Sequence, residues 1–115
     1  MVENEFPKQG DLVWITLDPT RGHEQSGRRP AVVVSKDAYN KLSGMMLICP
    51  ITSKSKIPTF EIPFASKKIK GNILIDHVRS VDWHSPERKC EIITSLSIDI
   101  LQKVCRKISR LIEIS

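Results

Sequence analysis

Apolar and polar positions alternate along most of this chain and then change period near its end. Residues 11–17, DLVWITL, are rich in β-branched and aromatic types and predict a first strand. AVVVS at 31–35 is short and continuously apolar, as a strand covered on both faces would be. MMLICPIT (45–52) predicts a third strand, although Pro50 argues for an edge, a bulge or the strand's end. TFEIPF (59–64) alternates and predicts a fourth. GNILIDHVRSVDW (71–83) predicts a fifth with a break near Asp76, and KCEIITS (89–95) a sixth. KDAYNKLSG (36–44) suits a short helix closed by Gly44.

The tail departs from alternation. Ile98, Leu101, Val104, Cys105, Ile108, Leu111 and Ile112 fall on one helical stripe, with Gln102, Lys103, Arg106, Lys107 and Arg110 opposite. Ser97 is placed to cap the start, so residues 97–113 are expected to form one amphipathic helix. Short strands followed by a helix predict a mainly β fold: a small curled barrel with the C-terminal helix packed on it. Most connections are too short for crossover helices, which disfavours a parallel sheet.

Length and composition bound the chemistry. The 115 residues suit a single domain, 1–115, whose folding buries roughly two-thirds of the unfolded surface without staples. No apolar run reaches the ~18 residues of a membrane span, and MVENEFPKQG is too polar for a signal peptide. Three scattered cysteines, Cys49, Cys90 and Cys105, point to a reducing compartment such as the cytoplasm. Together with His23, His77 and His84 they lack metal-site spacing, so no metal or other cofactor is expected.

The balance of 18 basic to 13 acidic residues favours a polyanionic partner. Its distribution says more, because residues 53–70 hold five lysines and one glutamate. Lys54, Lys56, Lys67, Lys68 and Lys70 are therefore candidate phosphate contacts, alongside the ordinary alternative of solvated lysines. Trp14 could stack on a base, but its place in a strand suits the core better; Trp83 is an equally open case.

The stretch DPTRGHEQSGRRP (18–30) is denser in reactive groups than a connector needs. Gly22 and Gly27 are expected to permit turns, and Pro30 to fix the entry into the next strand. Such a link can present His23, Glu24, Gln25, Arg28 and Arg29 to one spot. The alternative is a polar surface loop whose charges pair among themselves.

GDLVWITLDPTRGHEQSGRRPAVVVS (10–35) resembles the opening of the MazF/PemK (Kid) toxins, the mRNA interferases. Every element of that family's opening pattern is present in order and without gaps. The resemblance continues through YN (39–40), CPITSKSK (49–56), FEIPF (60–64), IDHVRSVDW (75–83) and the terminal helix, and so covers nearly the whole chain. It implies an SH3-like β-barrel, a homodimer, and a sequence-specific, metal-independent endoribonuclease acting on single-stranded RNA. It also implies an acidic antitoxin that holds the enzyme inactive, with DNA reached only through that antitoxin and no membrane.

In that reaction the substrate's own 2′-hydroxyl attacks, leaving a 2′,3′-cyclic phosphate (or 3′-phosphate) and a 5′-hydroxyl. The resemblance carries catalytic roles onto Arg29 and Thr52. Arg29 has a fork that suits a phosphorane, and Thr52 has a hydroxyl for a non-bridging oxygen. Glu24 and His23 are the candidate acid–base groups, with Ser53 able to share Thr52's task. Arg28, Gln25, Ser53, Lys54, Lys56, Lys68, Asp76 and His77 are the expected RNA contacts. One departure stands out. Kid-like members carry an arginine two residues before Asp76, where this chain has Leu74, so the Kid-type dyad is not available. The alternatives are a nonenzymatic RNA-binding barrel and a gyrase poison like the CcdB toxins. The latter grip their target through a Trp-Gly-Ile ending, and this chain ends in LIEIS.

Overall fold

The computed structural model describes residues 5–17, 27–54 and 58–114. The elements run β1 (Asp11–Thr16), β2 (Arg28–Val33), α1 (Asp37–Ser43), β3 (Met46–Thr52), β4 (Glu61–Ala65), β5 (Lys70–Leu74), β6 (Arg79–Val81), β7 (Glu91–Ser95) and α2 (Ile98–Leu111). Short 3-10 turns occupy Pro58–Phe60, Ile75–His77 and Pro86–Arg88. The strands form one antiparallel sheet in the order β4-β5-β3-β2-β1-β7, with β6 also on β3. The sheet is a curled half-barrel and α2 packs on it, as the sequence pattern predicts.

Both faces of the central strands are covered. On one face Leu12, Val32, Cys49, Ile51, Ile62 and Ile73 meet Leu101 and Val104 of α2. On the other, Val13, Ile15, Ala31, Val33, Met46, Ile48 and Val81 form a second cluster against Trp83, Cys90 and Ile92. Double burial explains why AVVVS shows no alternation. Each fully buried Val, Leu or Ile contributes about 1.5–3 kcal/mol relative to exposure.

The predicted fifth strand is two strands. β3 pairs Ile51 with Ile73 of β5 and Ile48 with Arg79 of β6, and the turn Ile75–His77 fills the gap between those two pairings. This interruption also resolves Pro50. The residue sits inside a central strand, not at an edge, pairing with Ala31 on one side. On its other side the neighbouring strand is interrupted, so a residue without an N–H is accommodated there.

β2 begins at Arg28, earlier than the expected 31–35. Its register with β1 continues through Pro30–Trp14 and Arg29–Ile15 to Arg28–Thr16, so the end of the supposed link is strand. Gly27 does not adopt positive φ. A Cβ there would lie 3.2 Å from Thr16 Cγ2, so space, not a left-handed turn, accounts for this glycine.

The helix expectations hold closely. α1 ends at Gly44 with φ +73°, whose N–H bonds the Asn40 carbonyl. Ser97 caps α2 by accepting from the Ile100 N–H at 3.4 Å. The apolar stripe outruns its partner: Leu101 and Val104 are buried while Ile98, Leu111 and Ile112 stay exposed. No helix among the described residues is long and apolar enough to cross a membrane.

Candidate active site

The face opposite α2 changes character along its length. In β1, β2, β3 and β6 the side chains on this face fall at every second residue. They run Val13, Ile15, Leu17; then Val33, Ala31, Arg29; then Met46, Ile48, Pro50, Thr52; then Val81, Arg79. At one end all are apolar and sealed. At the other they open into a cleft of about 530 Å³ lined by Leu17, Arg29, Pro50, Thr52, Lys54, Glu61, Leu74, Asp76, His77 and Arg79. β4 and β5 follow the same rule, since Glu61 pairs with Leu74 while Ile62 and Ile73 turn to the helix side.

Arg29 stands on β2, which makes its backbone a rigid support. Its side chain is exposed, and among the described residues it has no hydrogen bond or ion pair. Ala31 pairs with Pro50, so two residues further the same register aligns Arg29 with Thr52. Thr52 ends β3 half-buried. Its Oγ1 accepts from the Lys54 N–H at 3.2 Å, which leaves the O–H as a donor. Thr52 thus closes a turn and lines the cleft at once. A Cβ on Gly71 would come within 2.7 Å of the Thr52 carbonyl oxygen, so the glycine allows the close strand approach beside Thr52.

The turn Ile75–His77 pushes Asp76 and His77 out of the sheet into the cleft rim. Their closest approach is 3.8 Å between His77 Nε2 and Asp76 Oδ1, with both side chains substantially exposed. Leu74 lines the cleft on the same side as Asp76, so the departure from the Kid-like pattern falls inside the site.

The other expected residues divide. Lys54 lines the cleft. Lys68 is at the exposed β4–β5 turn, which Ser66 orders by accepting from the Lys68 and Ile69 N–H groups. Ser53 is exposed and outside the lining. Arg28 is engaged elsewhere, donating to the Lys89 carbonyl at 2.7 Å and pairing with Glu91 at 3.1 Å. Trp83 donates to the Asn40 carbonyl at 2.9 Å, and neither it nor Trp14 lines the cleft. His23, Glu24, Gln25 and Lys56, with Gly22, lie outside the described residues.

Two charged lining residues were not singled out from sequence. Glu61 is a carboxylate buried to 6% exposure at the start of β4, and Arg79 reaches the Leu17 carbonyl at 3.4 Å. The available signal was a charged residue at the helix-averted position of an alternating strand. Burial pushes the Cys49 thiol up to about 12 and Cys90 to about 11, so both are neutral at pH 7.

Comparison with known proteins gives a consistent set. Residues 8–112 match the family model described as PemK-like, MazF-like toxin of type II toxin-antitoxin system. The chain is 44% identical over 85 residues to the endoribonuclease toxin MazF of Escherichia coli K12, covering 74% of this chain and 77% of that protein. It is 37% identical over 91 residues to the endoribonuclease toxin ChpB of the same organism, covering 74% and 78%. The crystal structure of MazF (Form-I) from Deinococcus radiodurans superposes with a TM-score of 0.82 at 39% identity, covering 96% of this chain and all of that one. A MazE-MazF crystal structure (Form-II) from the same organism gives 0.80 at 35%, covering 97% and 100%.

Proposed function

The chain belongs to the PemK-like, MazF-like family of type II toxins, and on that premise we propose that its cleft cuts single-stranded RNA at specific sequences without a metal ion. The chain is the endoribonuclease of a toxin–antitoxin pair. The observation that carries the cleft assignment is the Arg29 guanidinium, uncommitted among the described residues and held on a strand beside a Thr52 hydroxyl that keeps its O–H free to donate.

The 2′-oxygen of the substrate attacks phosphorus while the bond from phosphorus to the 5′-oxygen breaks. The 2′ proton passes to a base on the 18–26 segment, Glu24 or His23, and the leaving 5′-oxygen takes up a proton. Arg29 and the Thr52 O–H hold the negative charge that gathers on the non-bridging oxygens. A guanidinium with no ion pair among the described residues suits this work, because phosphate then displaces no such partner. Lys54 and Arg79 extend the positive rim for flanking phosphates, and Asp76 and His77 offer hydrogen-bonding groups for base edges.

The same rim suits an acidic, flexible peptide, so the antitoxin is expected to cover the RNA site. The family resemblance extends the proposal to a homodimer acting in the cytoplasm. To test the reaction, the purified chain and Arg29→Ala are incubated with a long RNA in EDTA and the ends mapped. Site-specific cuts with 5′-hydroxyl ends by the wild type alone are expected. A folded wild type that binds RNA without cutting it would favour a nonenzymatic RNA-binding barrel.

A further inference from the structure

The end of β1 with Leu17 and the start of β2 with Gly27 form two neighbouring stalks, and both are tied to one short stretch far along the chain. Arg88, in the turn Pro86–Arg88, donates Nη1–H to the Thr16 carbonyl at 3.1 Å and to the Leu17 carbonyl. Its Nε–H donates to Asp82 Oδ1 at 2.9 Å, which fixes the guanidinium plane. The Arg88 side chain is only 16% exposed. The next residue, Lys89, takes a left-handed turn at φ +48°, and its carbonyl accepts from Arg28 on the returning stalk. Glu91 accepts from the same Arg28 at 3.1 Å. Between the stalks themselves the Leu17 N–H bonds the Gly27 carbonyl at 2.7 Å.

We propose that Arg88 is a positioning residue: with Asp82 it buckles the end of β1 to the start of β2, and so holds Arg29, the second residue of β2, in its place at the cleft. The inference rests on the ribonuclease reading for its catalytic consequence, and on the contacts alone for the buckle. The geometry favours this over a general packing role. Arg88 directs its donors to the carbonyls of Thr16, the last residue of β1, and of Leu17 just beyond it, where the ladder to β2 ends. A planar fork reaches a carboxylate and two carbonyls together, which a single ammonium does less well. Small displacements of a catalytic group lower the chemical step more than substrate binding.

The test compares full-length wild type and Arg88→Ala on an oligoribonucleotide carrying the mapped cut, with amide exchange followed in the same samples. The expected result is a single-turnover rate at saturating RNA lower by about tenfold or more, with half-saturation moved by less than about twofold. The Leu17 amide should exchange faster while the Val33 and Ile48 amides keep their protection. Arg88→Lys should recover only a minor part of the rate. A wild-type rate in Arg88→Ala overturns the proposal, as does a slower rate matched by core amides opening in step with Leu17. Should Arg88→Ala fail to fold, Asp82→Asn at the half-exposed end of the buckle carries the same expectation with a smaller drop in rate. A wild-type rate with wild-type Leu17 exchange in that variant overturns it. If the wild type cuts no RNA, the ribonuclease reading fails by itself. Leu17 exchange in Arg88→Ala then decides the buckle, faster exchange supporting it and unchanged exchange overturning it.

Discussion

At one end of the sheet face averted from α2, Val13, Ala31, Ile48 and Val81 are sealed in a core. At the other end Arg29, Thr52, Glu61 and Arg79 line an open cleft. The two ends share β2, β3, β6 and one period, while the open end adds β4 and the turn Ile75–His77 and carries charged and hydroxyl groups at its averted positions. A polar group at the sealed end would be stranded without water or partner. At the open end the same backbone holds polar groups at fixed spacing with the sealed end as their foundation. Catalytic side chains on strands braced by a packed core are held more accurately than loops would hold them.

The sharpest way to break the comparison is to exchange its two consequences. Arg29→Ala should slow RNA cleavage by about 10²–10³-fold, the usual effect of removing a charge-stabilising donor, with an unchanged melting temperature. Ile48→Ala should do the reverse. It should lose about 2–5 kcal/mol in urea denaturation while the folded fraction cuts at the wild-type rate. If Arg29→Ala unfolds the chain, or Ile48→Ala stays stable and inactive, the division between foundation and site is wrong.

Thr52→Val keeps the shape of the strand end and removes the donor. Single-turnover cleavage should fall by about tenfold or more, less than for Arg29 because the donor removed is neutral. Gly71→Ala probes the join between the two functions. Its Cβ would press on the Thr52 carbonyl oxygen, so stability should drop by about 1–3 kcal/mol together with part of the rate.

Outside both regions effects should be small and electrostatic. Lys67→Gln with Lys68→Gln, at the β4–β5 turn, should leave the rate at saturating RNA unchanged. The salt dependence of RNA binding should flatten by about 0.7 in log–log slope for each phosphate that is no longer neutralised. The smallest effect concerns Asp82, whose carboxyl the Arg88 hydrogen bond holds below its ordinary value of 3.8. Such a group adds stability above the unfolded-state value and loses it as pH falls through the lower folded value. The stability advantage of wild type over Asp82→Asn in thermal melts should therefore be present at neutral pH and disappear in acid. It should be slight, because Asp82 is about half exposed.

Much of the fold was legible locally. The alternating runs marked the strands, Ser97 and Gly44 marked helix ends, and the weakness near Asp76 marked a true interruption. Arg29 and Thr52 were legible through the family resemblance, and the structure adds that they share a face. The position of Pro50 was misjudged because the sequence does not show that the neighbouring strand breaks beside it. Glu61 and Arg79 looked like two charges among many.

The sequence by itself determined the period of each segment, and with it which side chains share a face, because backbone geometry repeats every two or 3.6 residues whatever lies nearby. Tertiary structure alone decided which faces meet. That β2 lies between β1 and β3, that a turn displaces Asp76 and His77 into the cleft, and that Arg88 reaches carbonyls 71 and 72 residues away all depend on long-range register. Register is set by the summed burial of two-sided strands, a property of the packed sheet that no single segment carries.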